Sequence, residues 1–279
     1  MYWSKPTKQA LISSILTCHR FDEVLSILHF NNNEEEPTKA DNNYDKLFKI
    51  RPLINHFNTK FQSAAIPEVI CSADEQIVPY KGFSNLKRYN SSKPHSWGYK
   101  IYAREGKSSY LYQFEIEGDN QLITIDSNIG SAGNVVIRLT QNLHPNSFIA
   151  YDNYYATIRL IKFLNVKQYH VVSTMRTNRL HVPLLKPVKL LKREGRGSFD
   201  FLTTDDGHIV VTKWFDTKAV YILSNCFGPT PAAQQLVISL GGAQSESFGM
   251  NDFSRYDQIG HFPGWKNLNG TTKNFKSKR

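Results

Sequence analysis

Two short apolar runs in this chain each end in an aspartate: Glu68-Val69-Ile70-Cys71-Ser72-Ala73-Asp74 and Ser147-Phe148-Ile149-Ala150-Tyr151-Asp152. Runs of this length, rich in Ile, Val and Tyr, suit strands better than helices. An aspartate that terminates such a strand is held at the edge of a sheet, where its carboxylate can be aimed at a metal ion. The fold must therefore supply a sheet that brings strand ends together.

The surrounding pattern supplies one. Strands are expected over residues 68–74, 98–104, 110–116 and, more weakly, 122–125, then a helix over 129–143, a strand over 147–151, a helix over 154–164 and a strand over 170–174. Residues 207–214 and 218–224 read as a hairpin, and the whole describes a mixed α/β core. Upstream, apolar spacing over 9–30 indicates two helices, 31–43 a polar loop, and 44–61 a further helix that Pro52 restarts or kinks. Beyond Pro231 the periodicity decays into a Gly-, Ser-, Asn- and Lys-rich tail. The expected divisions are 1–66 (a partial helical domain), 67–231 (the mixed α/β core) and 232–279 (a loosely ordered tail).

Composition narrows the class. A hydrophobic content of 40% argues against a wholly disordered chain, and no run of eighteen apolar residues is present to cross a membrane. Met1-Tyr2-Trp3-Ser4-Lys5-Pro6 opens no secretory signal, and Cys18, Cys71 and Cys226 are too few for a disulfide framework, so an intracellular location is expected. The formal charge of +10 favours a polyanionic partner, nucleic acid first, because bound phosphates release counterions. Many soluble proteins are basic without such a partner.

Aspartates at strand ends suit phosphodiester chemistry, in which two divalent metals roughly 3.5–4 Å apart activate the attacking oxygen and stabilise the leaving one. Mg²⁺ prefers carboxylate, water and phosphate oxygens, so a few acids suffice. A plainer reading of Asp152 is a cap on the helix expected from Tyr154. Glu75 follows Asp74, but alternation turns it to the opposite face of the strand. Lys81, Lys87, Arg88, Lys93, His95 and Lys100 interleave with Phe83, Tyr89, Trp97 and Tyr99. Such a mixture suits a nucleic-acid groove or, alternatively, a solvated loop with core aromatics. The basic stretch over 186–196 is either a further patch or a linker. No Cys-x-x-Cys occurs, so no zinc is expected.

The Asp74-Glu75-Gln76-Ile77-Val78-Pro79-Tyr80-Lys81-Gly82, Lys93-Pro94-His95-Ser96-Trp97-Gly98-Tyr99-Lys100 and Asp152-Asn153-Tyr154-Tyr155 segments resemble the piggyBac family of DNA transposases. The resemblance runs from about residue 20 to 231 and continues through Arg176-Thr177-Asn178-Arg179, Asp206-Gly207-His208 and Ser224-Asn225-Cys226-Phe227-Gly228. It implies a ribonuclease-H-like mixed sheet flanked by helices and preceded by a partial helical domain. It also implies Asp74 and Asp152 as catalytic ligands of Mg²⁺. Lys81, Lys93, His95, Lys100, Arg176 and Arg179 would face DNA, in a nuclear protein acting at TTAA sites, with a homodimer left open. The family's third acid, in a Tyr-Asn-x-x-Met-Gly-Gly-Val-Asp segment, has no match: Gly241-Gly242 is followed by Ala243, and the only later aspartates are Asp252 and Asp257. The family's cysteine-rich zinc module is also missing. The resemblance therefore implies a truncated or degenerate transposase domain, or alternatively a catalytically inactive DNA-binding or interaction protein.

Overall fold

The computed structural model describes residues 2–91, 96–179 and 185–228, together with the backbone of a two-residue strand at 274–275. The chain divides into two compact units, Met1–Thr59 with Asp119–Gln121, and Lys60–Gly118 with Leu122–Arg279.

The first unit contains the two helices expected over 9–30, α1 (Ala10–Ile15) and α2 (Cys18–Ile27). Thr17 starts α2 by accepting a hydrogen bond from the Arg20 amide at 3.2 Å, satisfying one of the orphan donors of the first turn. α3 (Arg51–Ala64) opens with Pro52 as its second residue. There the missing N–H is not needed and the fixed φ is already helical, so Pro52 starts the helix without kinking it. Arg51 forks onto two carboxylates, donating to Asp45 through Nε and Nη2 and to Asp119 through Nη1 and Nη2, at 2.7–2.8 Å. This fork ties the 119–121 excursion to the start of α3.

The second unit is built on one mixed sheet. Its strands are β1 (Ile70–Pro79), β2 (Lys87–Tyr89), β3 (Trp97–Gly106), β4 (Leu111–Ile116), β5 (Phe148–Tyr151), β6 (His170–Thr174), β7 (Phe199–Thr204), β8 (Val210–Phe215), β9 (Ala219–Ser224) and β10 (Asn274–Phe275). The order is β10-β7-β8-β9-β6-β5-β1-β3-β2, with β4 also paired to β3. β1, β5 and β6 run parallel at the centre, with Ala73 opposite Tyr151 and Tyr151 opposite Ser173. The β1–β3 and β3–β4 pairs on one side, and β6–β9, β8–β9 and β7–β8 on the other, are antiparallel.

Strand alternation sorts the central residues onto two faces. Cys71, Ala73, Ile149, Tyr151 and Val171 turn to the larger core. There they meet Val136 and Leu139 of α4 (Gly130–Leu139) and Leu160, Ile161 and Leu164 of α5 (Ile158–Val166). Each large aliphatic side chain buried in this way contributes about 1.5–3 kcal/mol. Ala150 and Val172 turn to the opposite face, against Trp214 and Ile222, with Ile70 and Phe227 packed beside them. α4 is fastened to the sheet by Arg138, which donates from Nε and Nη2 to the buried Glu115 carboxylate at 2.8 and 2.5 Å.

Several expectations are corrected. β1 does not stop at Asp74: β3 continues to pair with it as far as Pro79, whereas β5 leaves it after Ala73. Residues 122–125 form no strand, because the Ile125 and Asp126 amides donate to the buried Asn134 side chain at 2.7 and 2.9 Å. α5 begins at Ile158, with Thr157 as its cap. The basic stretch read as patch or linker contains α6 (Val188–Glu194), anchored by the fully buried Leu191.

Candidate metal and nucleic-acid site

The last paired row across the three parallel strands is Ala73, Tyr151 and Ser173. The next residue on each strand is Asp74, Asp152 and Thr174. Being one step past that row, all three share the face opposite the large core, the face of Ala150 and Val172. Neighbouring strands lie about 4.8 Å apart, so the two aspartates stand side by side where the parallel β1–β5 pairing ends, Asp74 within β1 and Asp152 just past β5. This end of an open α/β sheet is where ligands bind.

Local bonds orient each group. The Glu75 amide donates to Asp74 Oδ1 at 2.8 Å, and the Thr174 hydroxyl donates to Asp152 Oδ1 at 3.3 Å. Asp152 does not cap α5; that work is done by Thr157, whose hydroxyl accepts from the Leu160 amide at 3.1 Å. Asp152 is exposed. Asp74 is partly buried. The donor set of two carboxylates and a hydroxyl consists of hard oxygens, which fits a hard divalent cation. No group of three or more His, Cys, Asp or Glu side chains suited to a metal is present among the described residues.

Glu75 turns to the other face, as alternation requires, and accepts a hydrogen bond from the Tyr155 hydroxyl at 3.2 Å. Burial first, and then the Glu75 and Asp74 charges, push the Tyr155 phenol far above its ordinary value. Tyr102, edge-on to Tyr155, donates to Glu117 at 2.8 Å. The two aspartate motifs are thus joined beneath the sheet by a tyrosine layer that sequence reasoning missed. Its signal was the second tyrosine of Asp152-Asn153-Tyr154-Tyr155.

The basic residues divide in their surroundings. Lys81 is exposed at the end of β1. Lys100 is drawn inward, its ammonium 4.4 Å from the Tyr154 ring centre, 5.0 Å from that of Tyr102 and 3.8 Å from Glu117. Arg176 donates to the Asn153 side chain at 2.7 Å, and Arg179 to the Asn153 and Ala156 carbonyls at 3.2 and 2.9 Å. Both arginines therefore clasp the turn that carries Asp152. Lys93 and His95, like Asp252 and Asp257, lie outside the described residues.

The mixed sheet flanked by helices is ribonuclease-H-like, the fold class of transposase cores, and the comparisons with known proteins agree. The family described as Transposase IS4 matches residues 1–240, and the chain belongs to it, as a piggyBac-like member. Human piggyBac transposable element-derived protein 2 is 30% identical over 237 residues, which cover 83% of this chain and 39% of that protein. Human piggyBac transposable element-derived protein 3 is 28% identical over 239 residues, with the same coverages. The chain thus spans about two-fifths of the length of these relatives. The cryo-EM structure of the piggyBac transposase synaptic complex with hairpin DNA superposes with a TM-score of 0.69 at 20% identity, over 90% of this chain and 53% of that one, a likeness of fold.

Proposed function

We propose that residues 67–231 are a DNA-processing core of the DDE type, truncated or degenerate, in which Asp74 and Asp152 together hold Mg²⁺. The observation that carries this reading is the adjacent placement of the two carboxylates on one face, one step beyond the last β1–β5 pair. A bound divalent metal supplies charge neutralisation at a phosphoryl oxygen and a lowered pKa for bound water. The chain's own residues do the rest of the positioning. The Glu75 amide fixes one carboxylate, and the Thr174 hydroxyl and the Arg176–Asn153 contact fix the other. Lys81, Lys93, His95 and Lys100 are proposed to engage the DNA backbone, with Arg176 and Arg179 beside Asp152 adding positive charge there. A nuclear location and a homodimer belong to the same proposal, checked by imaging the tagged chain and by its sedimentation.

The test is strand cleavage of duplex DNA with Mg²⁺ or Mn²⁺. Cleavage lost in both Asp74→Ala and Asp152→Ala supports an enzyme. Salt-sensitive DNA binding without cleavage supports the second reading, a transposon-derived DNA-binding protein without catalysis. That reading is favoured by a specific feature of the sequence, Gly241-Gly242-Ala243 where the family places Gly-Gly-Val-Asp. Losing one rigid acid leaves a second metal misplaced, and a displacement of about 1 Å costs on the order of a hundredfold in rate.

A further inference from the structure

The face of the sheet that carries Asp74 continues along β1 and β3 into a patch of exposed rings. Alternation from Asp74 passes through Gln76 to Val78, which lies opposite Tyr99, and Lys87 of β2 lies opposite Tyr99 in turn. At roughly 3.3 Å per residue, Val78 stands about 13 Å along the strand from Asp74. Tyr89 lies opposite Trp97 on the same face, their rings 4.9 Å apart, and Tyr80 stacks on Tyr99 at 5.0 Å with an interplanar angle of 30°. The Lys87 ammonium sits 5.2 Å from the Trp97 ring centre.

These rings are presented outward. Tyr89 is 59% exposed, Trp97 54% and Tyr80 39%, and Phe83 in the β1–β2 connection is fully exposed. A wholly apolar partner would not suit them, because the Lys87 ammonium lies over the Trp97 ring while donating to the Lys81 and Gly82 carbonyls, and Lys81 is exposed in the adjoining turn. Neighbouring phosphates alone would not use the rings either. Cations interleaved with exposed aromatic faces match a strand whose bases are unpaired, since every base offers a π-face for stacking while its phosphates meet the cations. We propose that this patch is a stacking platform for unpaired nucleotides, holding a single-stranded segment on the same sheet face as the carboxylate pair and about 13 Å or more from it. The proposal rests on the nucleic-acid reading of the Asp74–Asp152 edge and adds to it the form of the ligand.

The test measures fluorescence anisotropy of the full chain with three probes: a short single-stranded DNA, the same strand made abasic with its phosphates intact, and the corresponding duplex. The base-bearing strand is expected to bind at least about fivefold more tightly than the abasic one, the lower end of what one stacked base contributes. Trp97→Ala and Tyr89→Ala are expected to abolish that preference, and Trp97→Phe to retain most of it. Thermal melting of each variant separates loss of stacking from loss of fold. Equal affinity for the base-bearing and abasic strands overturns the platform, as does a preference that survives both alanine variants. If the duplex binds and the single strand does not, the platform fails while the reading of the carboxylate edge stands. Failure to bind any of the three probes overturns both. Self-association that disappears in Trp97→Ala, without binding to DNA, assigns the patch to a second copy of the chain and likewise overturns the platform.

Discussion

The Tyr155 hydroxyl donates to Glu75 Oε2 at 3.2 Å, so the residue after Asp74 is bonded to a residue of the turn that carries Asp152. The bond lies on the large-core face, opposite the two carboxylates, and Tyr155 is only 1% exposed. Tyr155→Phe keeps the ring and removes this bond. It is expected to cost about 0.5–1.5 kcal/mol in urea unfolding. Tyr155→Ala removes the ring as well and is expected to cost about 3–5 kcal/mol. A phenylalanine variant as unstable as the alanine one would show that the ring's packing was misjudged.

The buried tyrosines also set an alkaline limit. Burial is the main cause that raises the phenols of Tyr102, Tyr151 and Tyr155 above the ordinary 10.0. A group whose folded value is raised contributes stability fully below its unfolded value and loses it as pH climbs above that point. Stability is therefore expected to be level through neutral pH and to fall above about pH 10. Replacing Tyr151 by Phe should make that fall shallower. Unfolding midpoints measured from pH 8 to 12 check this, and an unchanged slope would contradict it.

The helix-cap assignment distinguishes two residues close in sequence. Thr157→Ala removes the N-cap of α5 and is expected to cost about 1 kcal/mol. Asp152→Asn leaves that cap in place and is expected to change stability by less than about 0.5 kcal/mol, as an exposed group outside the core does. Denaturant midpoints of the two variants give the comparison. Equal losses would return Asp152 to a structural role.

Arg51 and Arg104 should respond in opposite directions. Arg51 bridges Asp45 and Asp119, whose side chains are 10% and 4% exposed, and its hydrogen bond holds the Asp45 carboxyl below the usual range despite burial. Arg51→Met strands both acids and is expected to cost about 3–5 kcal/mol at neutral pH. The Asp45 contribution is present above the ordinary 3.8 and is lost as pH falls below it, so the penalty should shrink in acid. Arg104 is 1% exposed under the Tyr112 ring, and its Nε and Nη1 meet no acceptor among the described residues. Arg104→Met is expected to stabilise the protein by about 1–3 kcal/mol. Thermal melts of both variants decide the signs.

The parts of this fold that were legible in the sequence are those in which one physical signal dominates. β5 and β6 are apolar runs at the sheet centre, and α2 carries a regular apolar stripe. β2 and β7 were not legible: β2 is three residues with two charges, and β7 holds its pairing to β8 with Phe and Thr but begins in a basic, glycine-rich stretch. α6 hid among lysines because a single buried residue, Leu191, holds it. The identities of Asp74 and Asp152 were readable from their contexts, but their adjacency was not. It comes from a parallel β1–β5 pairing that skips three antiparallel strands and a helix, which local periodicity does not encode. The inward turn of Lys100 depends likewise on rings contributed from distant positions.

The central claim is that the Asp74 and Asp152 carboxylates act together on one divalent cation. Titration of the full chain with Mn²⁺, followed by water-proton relaxation, tests it without requiring catalysis. Saturable binding is expected, weakening at least about tenfold in Asp74→Asn and about equally in Asp152→Asn, with thermal stability retained. Binding of equal strength in the unaltered chain and in both variants would contradict it.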